Sequence, residues 1–252
     1  MKNTSRLLLA AALLLVGSYT HAQNKDKGAL ALNDQGVDQV KVRNYLAAVE
    51  SFTRAIERDS NLAVAYNNLG ATYIALGHYE QAVAPLKNAV SIKTDYAEAH
   101  YGLGVAYSNL GRYRDAVAAY KRAINFRAGF FQAHNRLGVA YNDWGKRSEA
   151  MKAYREAIHL KPDYPEAFNN LGTCLAEARL YSEAIESLQQ AIDLKPDLNV
   201  ARYNLGVVYV LANNPDAALE QYRVLTILAP QVAKKLYAGI HQDKLLSVAA
   251  IR

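Results

Sequence analysis

The chain of 252 residues contains one cysteine, one tryptophan, two methionines and six prolines. A lone thiol cannot form an internal disulfide, nor can it build a cysteine-based zinc or iron–sulfur site, each of which needs several thiolates. The sequence also has no Gly-rich phosphate loop, no Gly-x-Ser-x-Gly elbow, no His-Glu-x-x-His pair and no paired-cysteine motif. Catalysis, a cofactor and a bound metal are therefore not expected. Runs of like charge are absent too, although 29 Lys and Arg outnumber 23 Asp and Glu to give +6. So diffuse a surplus describes a mixed, solvated surface and offers little counterion release, which argues against nucleic-acid binding. A 51% hydrophobic content excludes a disordered or collagen-like chain.

Long apolar stretches are scarce as well. Lys2 and Arg6 precede the uninterrupted run Leu7 to Val16, followed by Gly17, Ser18 and Tyr19. The run is too short to span a bilayer as a helix, and Thr20-His21-Ala22 offers a cleavage site before Gln23. Residues 1–22 read as a signal peptide and 23–28 as a linker. Cleavage would remove two basic and no acidic residues, lowering +6 to +4. No cysteine follows the run to carry a lipid, and no second run is long enough for a transmembrane segment. The expectation is an exported protein, periplasmic or secreted.

What the sequence has in abundance is internal repetition at thirty-four residues. The units begin at Ala63, Ala97, Phe131, Pro165 and Asn199, and no insertion separates them. Leu-Gly recurs at positions 7 and 8 of each unit: Leu69-Gly70, Leu103-Gly104, Leu137-Gly138, Leu171-Gly172 and Leu205-Gly206. Position 11 carries Tyr73, Tyr107, Tyr141, Leu175 and Tyr209, and position 20 carries Ala82, Ala116, Ala150, Ala184 and Ala218. Position 24 is Leu86, Tyr120, Tyr154, Leu188 and Tyr222. Positions 4, 7, 8 and 11 share one helical face, and 20, 24 and 27 share a face of a second helix. Each unit is thus a helical hairpin that must stack on neighbours to bury its apolar side. A degenerate unit precedes these from Ala29, keeping Gly36, Tyr45, Ala48, Phe52 and Ala55 but carrying Gln35 where leucine stands elsewhere. The six repeats cover 29–232 as 29–62, 63–96, 97–130, 131–164, 165–198 and 199–232. Residues 233–252, with Val232 before them and Leu236, Ile240 and Leu245 or Leu246 at helical spacing, read as a capping helix.

This pattern resembles the tetratricopeptide repeat family, although position 4 holds Tyr66, His100, His134, Phe168 and Arg202 instead of tryptophan. The resemblance implies an all-α, right-handed α-solenoid whose first helices line a concave face and bind other proteins. His100 and His134 then replace one planar ring with another instead of forming a metal site, and Cys174 is a small buried filler. On the concave positions lie Asn67, Asn68, Tyr101, Asn135, Arg136, Asn142, Asn169, Asn170, Tyr203 and Asn204. A carboxamide offers both donor and acceptor, as an extended peptide backbone requires. Glu98, Gln132, Asp143, Glu166, Thr173 and Glu177 add a polar floor, while Val200, Val207, Val210 and Leu211, and separately Tyr101 with Val105, supply apolar anchors. A carboxylate-gripping site of the kind found in chaperone-tail binders is not formed, since Arg136 is accompanied by Gln132, Gly102, Asn67 and Ala71. The expected partner is a segment of another protein held in the groove. A cell-envelope scaffold using the convex face or terminal helix, or a targeting subunit for a separately encoded enzyme, are the other two readings.

Overall fold

The computed structural model describes residues 27–241. Among them every regular element is an α-helix: α1 (Lys27–Lys41), α2 (Tyr45–Arg58), α3 (Ala63–Leu76), α4 (Tyr79–Ile92), α5 (Ala97–Asn109), α6 (Tyr113–Phe126), α7 (Phe131–Asp143), α8 (Arg147–Leu160), α9 (Pro165–Glu177), α10 (Tyr181–Leu194), α11 (Asn199–Leu211), α12 (Pro215–Leu228) and α13 (Pro230–His241). Odd and even helices pair as antiparallel hairpins, followed by α13. The expected signal peptide lies outside the described residues, as do 242–252.

The helices divide between two compact units, Met1–Ala133 and His134–Arg252. In the first, α1–α2, α3–α4 and α5–α6 pair, and α1, α3 and α5 lie side by side. In the second, α9–α10 and α11–α12 pair, and α11 lies between α9 and α13.

The turn inside each hairpin requires one left-handed residue at the repeat's fifteenth position. Gly77, Gly111 and Gly145 adopt φ of 81°, 72° and 79°, and Arg43, Arg179 and Asn213 adopt 61°, 62° and 57°. Only glycine takes that conformation without steric cost.

Within a hairpin, the glycine at position 8 leaves the space that the side chain at position 24 fills. A Cβ added at Gly70 would meet Leu86 at 2.4 Å, at Gly104 Tyr120 at 2.5 Å, at Gly138 Tyr154 at 2.5 Å, and at Gly172 Leu188 at 2.7 Å. Tyr120, Tyr154, Leu86 and Leu188 are in consequence almost completely buried. The last hairpin departs from this rule: Gly206 is met by Leu236 of α13 at 2.5 Å. Tyr222, at position 24 there, is half-buried and packs on Tyr237 of α13 with ring centroids 5.3 Å apart.

The terminal helix starts at Pro230, three residues before the expected 233. Three of its positions correspond to those of α9: Pro230 with Pro165, Leu236 with Leu171, and Ile240 with Leu175. It is placed as the first helix of a further hairpin would be.

Candidate functional site

The amide-bearing positions five and six lie in the middle of the first helices, where helical geometry aims adjacent side chains about 100° apart. Position 5 points toward the following repeat and position 6 toward the preceding one. Their carboxamides meet across the interface between neighbouring first helices. Asn68 Nδ2 donates to Asn33 Oδ1 at 2.9 Å in the first unit. In the second unit Asn170 Nδ2 donates to Asn135 Oδ1 at 3.0 Å, and Asn204 Nδ2 to Asn169 Oδ1 at 2.9 Å. Every one of these bonds spans thirty-five residues. It is a rung from position 5 of one repeat to position 6 of the next.

Where the sequence suggests amides offered to a ligand, the structure spends many of them on one another. Asn68, Asn135 and Asn204 are buried, and Asn169 and Asn170 half-buried. Asn135 also donates to the Tyr164 hydroxyl at 3.2 Å. Asn142 donates to Glu177 at 3.2 Å and accepts a weak bond from the Cys174 thiol, with sulfur 3.3 Å from Oδ1. Arg147 lies 3.6 Å from the same Glu177 carboxylate. Arg136 is half-buried on α7.

Asn33 belongs to the ladder although it is not among the asparagines that the repeat pattern singles out. Its repeat had lost the leucine signature at Gln35, but the thirty-five-residue step from Asn68 would have found it.

The ladder breaks where position 6 is Gly102. A Cβ there would stand 2.9 Å from Leu86, so no side chain returns toward Asn67. Asn67 is fully buried; its Nδ2 reaches Asn68 at 3.3 Å, and its Oδ1 finds no donor. Asn204 Oδ1 is a second buried acceptor without a donor. Such groups are rare because a buried oxygen that has lost water forfeits its hydration without recompense.

The expected apolar anchors are less open than their sequence positions imply. Tyr101, Val105, Tyr203 and Val207 are buried, Val200 and Val210 half-buried, and Leu211 exposed. Tyr101 packs against Phe130 and Tyr120, and burial pushes the Tyr203 phenol above its usual range. Glu98 is likewise no part of an open floor: it is buried and ion-paired with Arg127, whose guanidinium lies over the Phe130 ring. Burial holds Arg127 below its ordinary value. Beside it, burial pushes the Tyr96 phenol up to about 12 against a smaller opposing pull from Arg127.

His100 stacks on Phe126 with ring centroids 5.4 Å apart and donates from Nε2 to the Thr94 carbonyl at 2.9 Å. Burial lowers its basicity despite that bond. Among the described residues no cluster of His, Cys, Asp or Glu could hold a metal ion, and no helix is long and apolar enough to cross a membrane.

Known proteins place these features in context. Models described as TPR repeat match residues 72–111, 140–177 and 181–213. Models described as tetratricopeptide repeat match 97–127 and 51–84. Among solved structures, the chain is similar to YrrB, described as a TPR protein with an unusual peptide-binding site: identity is 25%, TM-score 0.60, with 75% of this chain and 98% of that one covered. It resembles in fold PilW, a widely conserved type IV pilus biogenesis factor, at 19% identity and TM-score 0.77 over 84% of this chain and 100% of that one. A similar fold occurs in pilF of Pseudomonas aeruginosa, at 17% identity and TM-score 0.72 over 85% and 98% of the respective chains. No curated protein matches the chain in sequence.

Proposed function

The chain belongs to the tetratricopeptide repeat family, whose fold is generally a non-catalytic interaction module, and on that premise we propose that it binds a segment of another polypeptide along its first helices. The observation that carries this reading is the face of α9, where Asn169 and Asn170 stay half-buried although each also bonds a neighbouring asparagine. Their remaining donor and acceptor capacity suits the N–H and C=O groups of an extended backbone. The half-buried Arg136 and Asn142 supply further polar contacts, and Leu211 an apolar one. The peptide-binding site of the similar YrrB supports the same reading.

The protein acts after export, in a periplasm or outside the cell, guided by the Lys2, Arg6 and Leu7 to Val16 pattern. N-terminal sequencing of the native protein tests this point. A start at Gln23 agrees, and a retained Met1 contradicts it.

The groove is tested with a photo-crosslinking residue at Arg136 on α7 or at exposed Lys152 on α8. The expected result is one partner protein crosslinked from position 136 and none from 152. Capture from 152 alone, or equally from both, overturns the assignment to the first helices.

A further inference from the structure

The hairpin α9–α10 carries leucine at both its eleventh and its twenty-fourth position, Leu175 and Leu188. The hairpins before and after it in the chain carry tyrosine at both: Tyr141 with Tyr154, and Tyr209 with Tyr222. A leucine reaches less far than a tyrosine, and beside Leu175 the second unit holds a cavity of about 610 Å³. Phe168, Leu171 and Leu175 of α9, Ile185 of α10 and Tyr209 of α11 line it. Small-molecule sites have this predominance of apolar side chains and volumes of about 300–1,000 Å³. The cavity shares no residue with the asparagine rungs.

Its charged groups are unequal in sign. Glu183 and Glu186 of α10 line the cavity, and Arg155 of α8 is the one base among the lining residues. Arg155 is already engaged, with its guanidinium 3.4 Å from the Glu183 carboxylate. Glu186 is exposed and has no ion-pair partner among the described residues. Helix α10 carries a third carboxylate, Asp193, and no Lys or Arg. An apolar lining therefore meets an edge of net negative charge, and the two aromatic rings, Phe168 and Tyr209, also attract positive charge.

We propose that this cavity binds a small organic cation, an ammonium or guanidinium group carried on an apolar body. The body leaves water against leucine, isoleucine and phenylalanine, and the positive charge stays at the edge beside Glu186. An anion would meet two carboxylates, with the single base already taken. A sugar or other polyol would lose hydration from hydroxyls that this lining cannot pair. A neutral apolar compound would gain from the lining and nothing from the carboxylates. The proposal stands independently of the polypeptide groove on the first helices.

The test uses the full chain and three probes of one shape: benzyltrimethylammonium, its neutral isostere neopentylbenzene, and the anion phenylmethanesulfonate. Affinities are read by ligand-observed NMR titration. Benzyltrimethylammonium should bind at least about fivefold more tightly than neopentylbenzene, and phenylmethanesulfonate most weakly. Glu186→Gln should reduce the preference for the cation by about twofold or more with an unchanged thermal melt, since the residue is solvated. The double variant Glu183→Gln, Glu186→Gln should erase it. Leu175→Tyr installs the residue that the neighbouring hairpins use and should abolish binding of all three probes in a protein that still melts cooperatively. Should that variant unfold, the exposed Glu186→Gln decides. No binding of benzyltrimethylammonium, equal binding of its isostere, tighter binding of the anion, or a cation preference that survives the double variant overturns the proposal. So does a dimer in sedimentation that Leu175→Tyr dissolves, which would give the cavity to a second copy of the chain.

Discussion

Arg179 occupies a left-handed turn position that three other repeats fill with glycine, at φ of 62°. A side chain in that region costs roughly 1–2 kcal/mol relative to glycine, partly offset by glycine's greater freedom in the unfolded chain. Arg179→Gly should therefore stabilise the protein by up to about 1 kcal/mol, read as a higher urea midpoint. The opposite change is expected at Gly104, where a Cβ would lie 2.5 Å from the Tyr120 ring. Gly104→Val and Ala116→Leu should each destabilise by roughly 1–3 kcal/mol, because both force volume between helices that are already closely packed. Unchanged melting in both would contradict the hairpin register. These residue roles were largely legible in sequence: Leu-Gly and the recurrent alanine identify close contacts by their small size. The partner of Gly206 was not, because Leu236 reaches it from α13 and lies outside the thirty-four-residue rule.

Neighbouring first helices are tied by the asparagine rungs, so a rung is tested as a property of the helix interface. Removing Asn170 would deprive the buried Asn135 Oδ1 of its donor at 3.0 Å. Asn170→Ala should cost about 1–3 kcal/mol, more than a solvated asparagine would. Adding Asn135→Ala should cost less than the sum of the two single changes, and strict additivity in this double-mutant cycle would deny the rung. Sequence alone placed these asparagines on one face of each helix. It did not show that they bond sideways, because periodicity fixes direction around one helix and says nothing of how far the next helix stands. The terminal helix begins three residues before the period places it, for a related reason. Only Ala229 separates α12 from α13, against the four residues 93–96 between α4 and α5, so extrapolating the period overshoots the start.

For the molecule as a whole, the period made the all-helical architecture legible, since each hairpin needs a neighbour to cover it. The balance of buried charge was not legible, because desolvation depends on packing around a group instead of its spacing. Two buried titrating side chains, both in the first unit, now give the stability profile a definite shape. Burial is the largest cause holding His100 below its ordinary 6.5. The unfolded chain therefore takes up a proton more readily than the folded one, and stability falls as pH drops below 6.5 until the lowered folded value is passed. Tyr96 acts on the alkaline side, with its phenol raised from 10.0 to about 12. The unfolded chain ionises first there, so stability declines as pH rises from 10.0 toward about 12, by about 2–3 kcal/mol in all. Urea midpoints across both ranges should form a plateau with two descending limbs. His100→Phe keeps a planar ring against Phe126 and should flatten this residue's share of the acid limb, while Tyr96→Phe should reduce the alkaline one. If each substitution left its limb as steep as before, the burial of these two rings would not be what couples folding to protons.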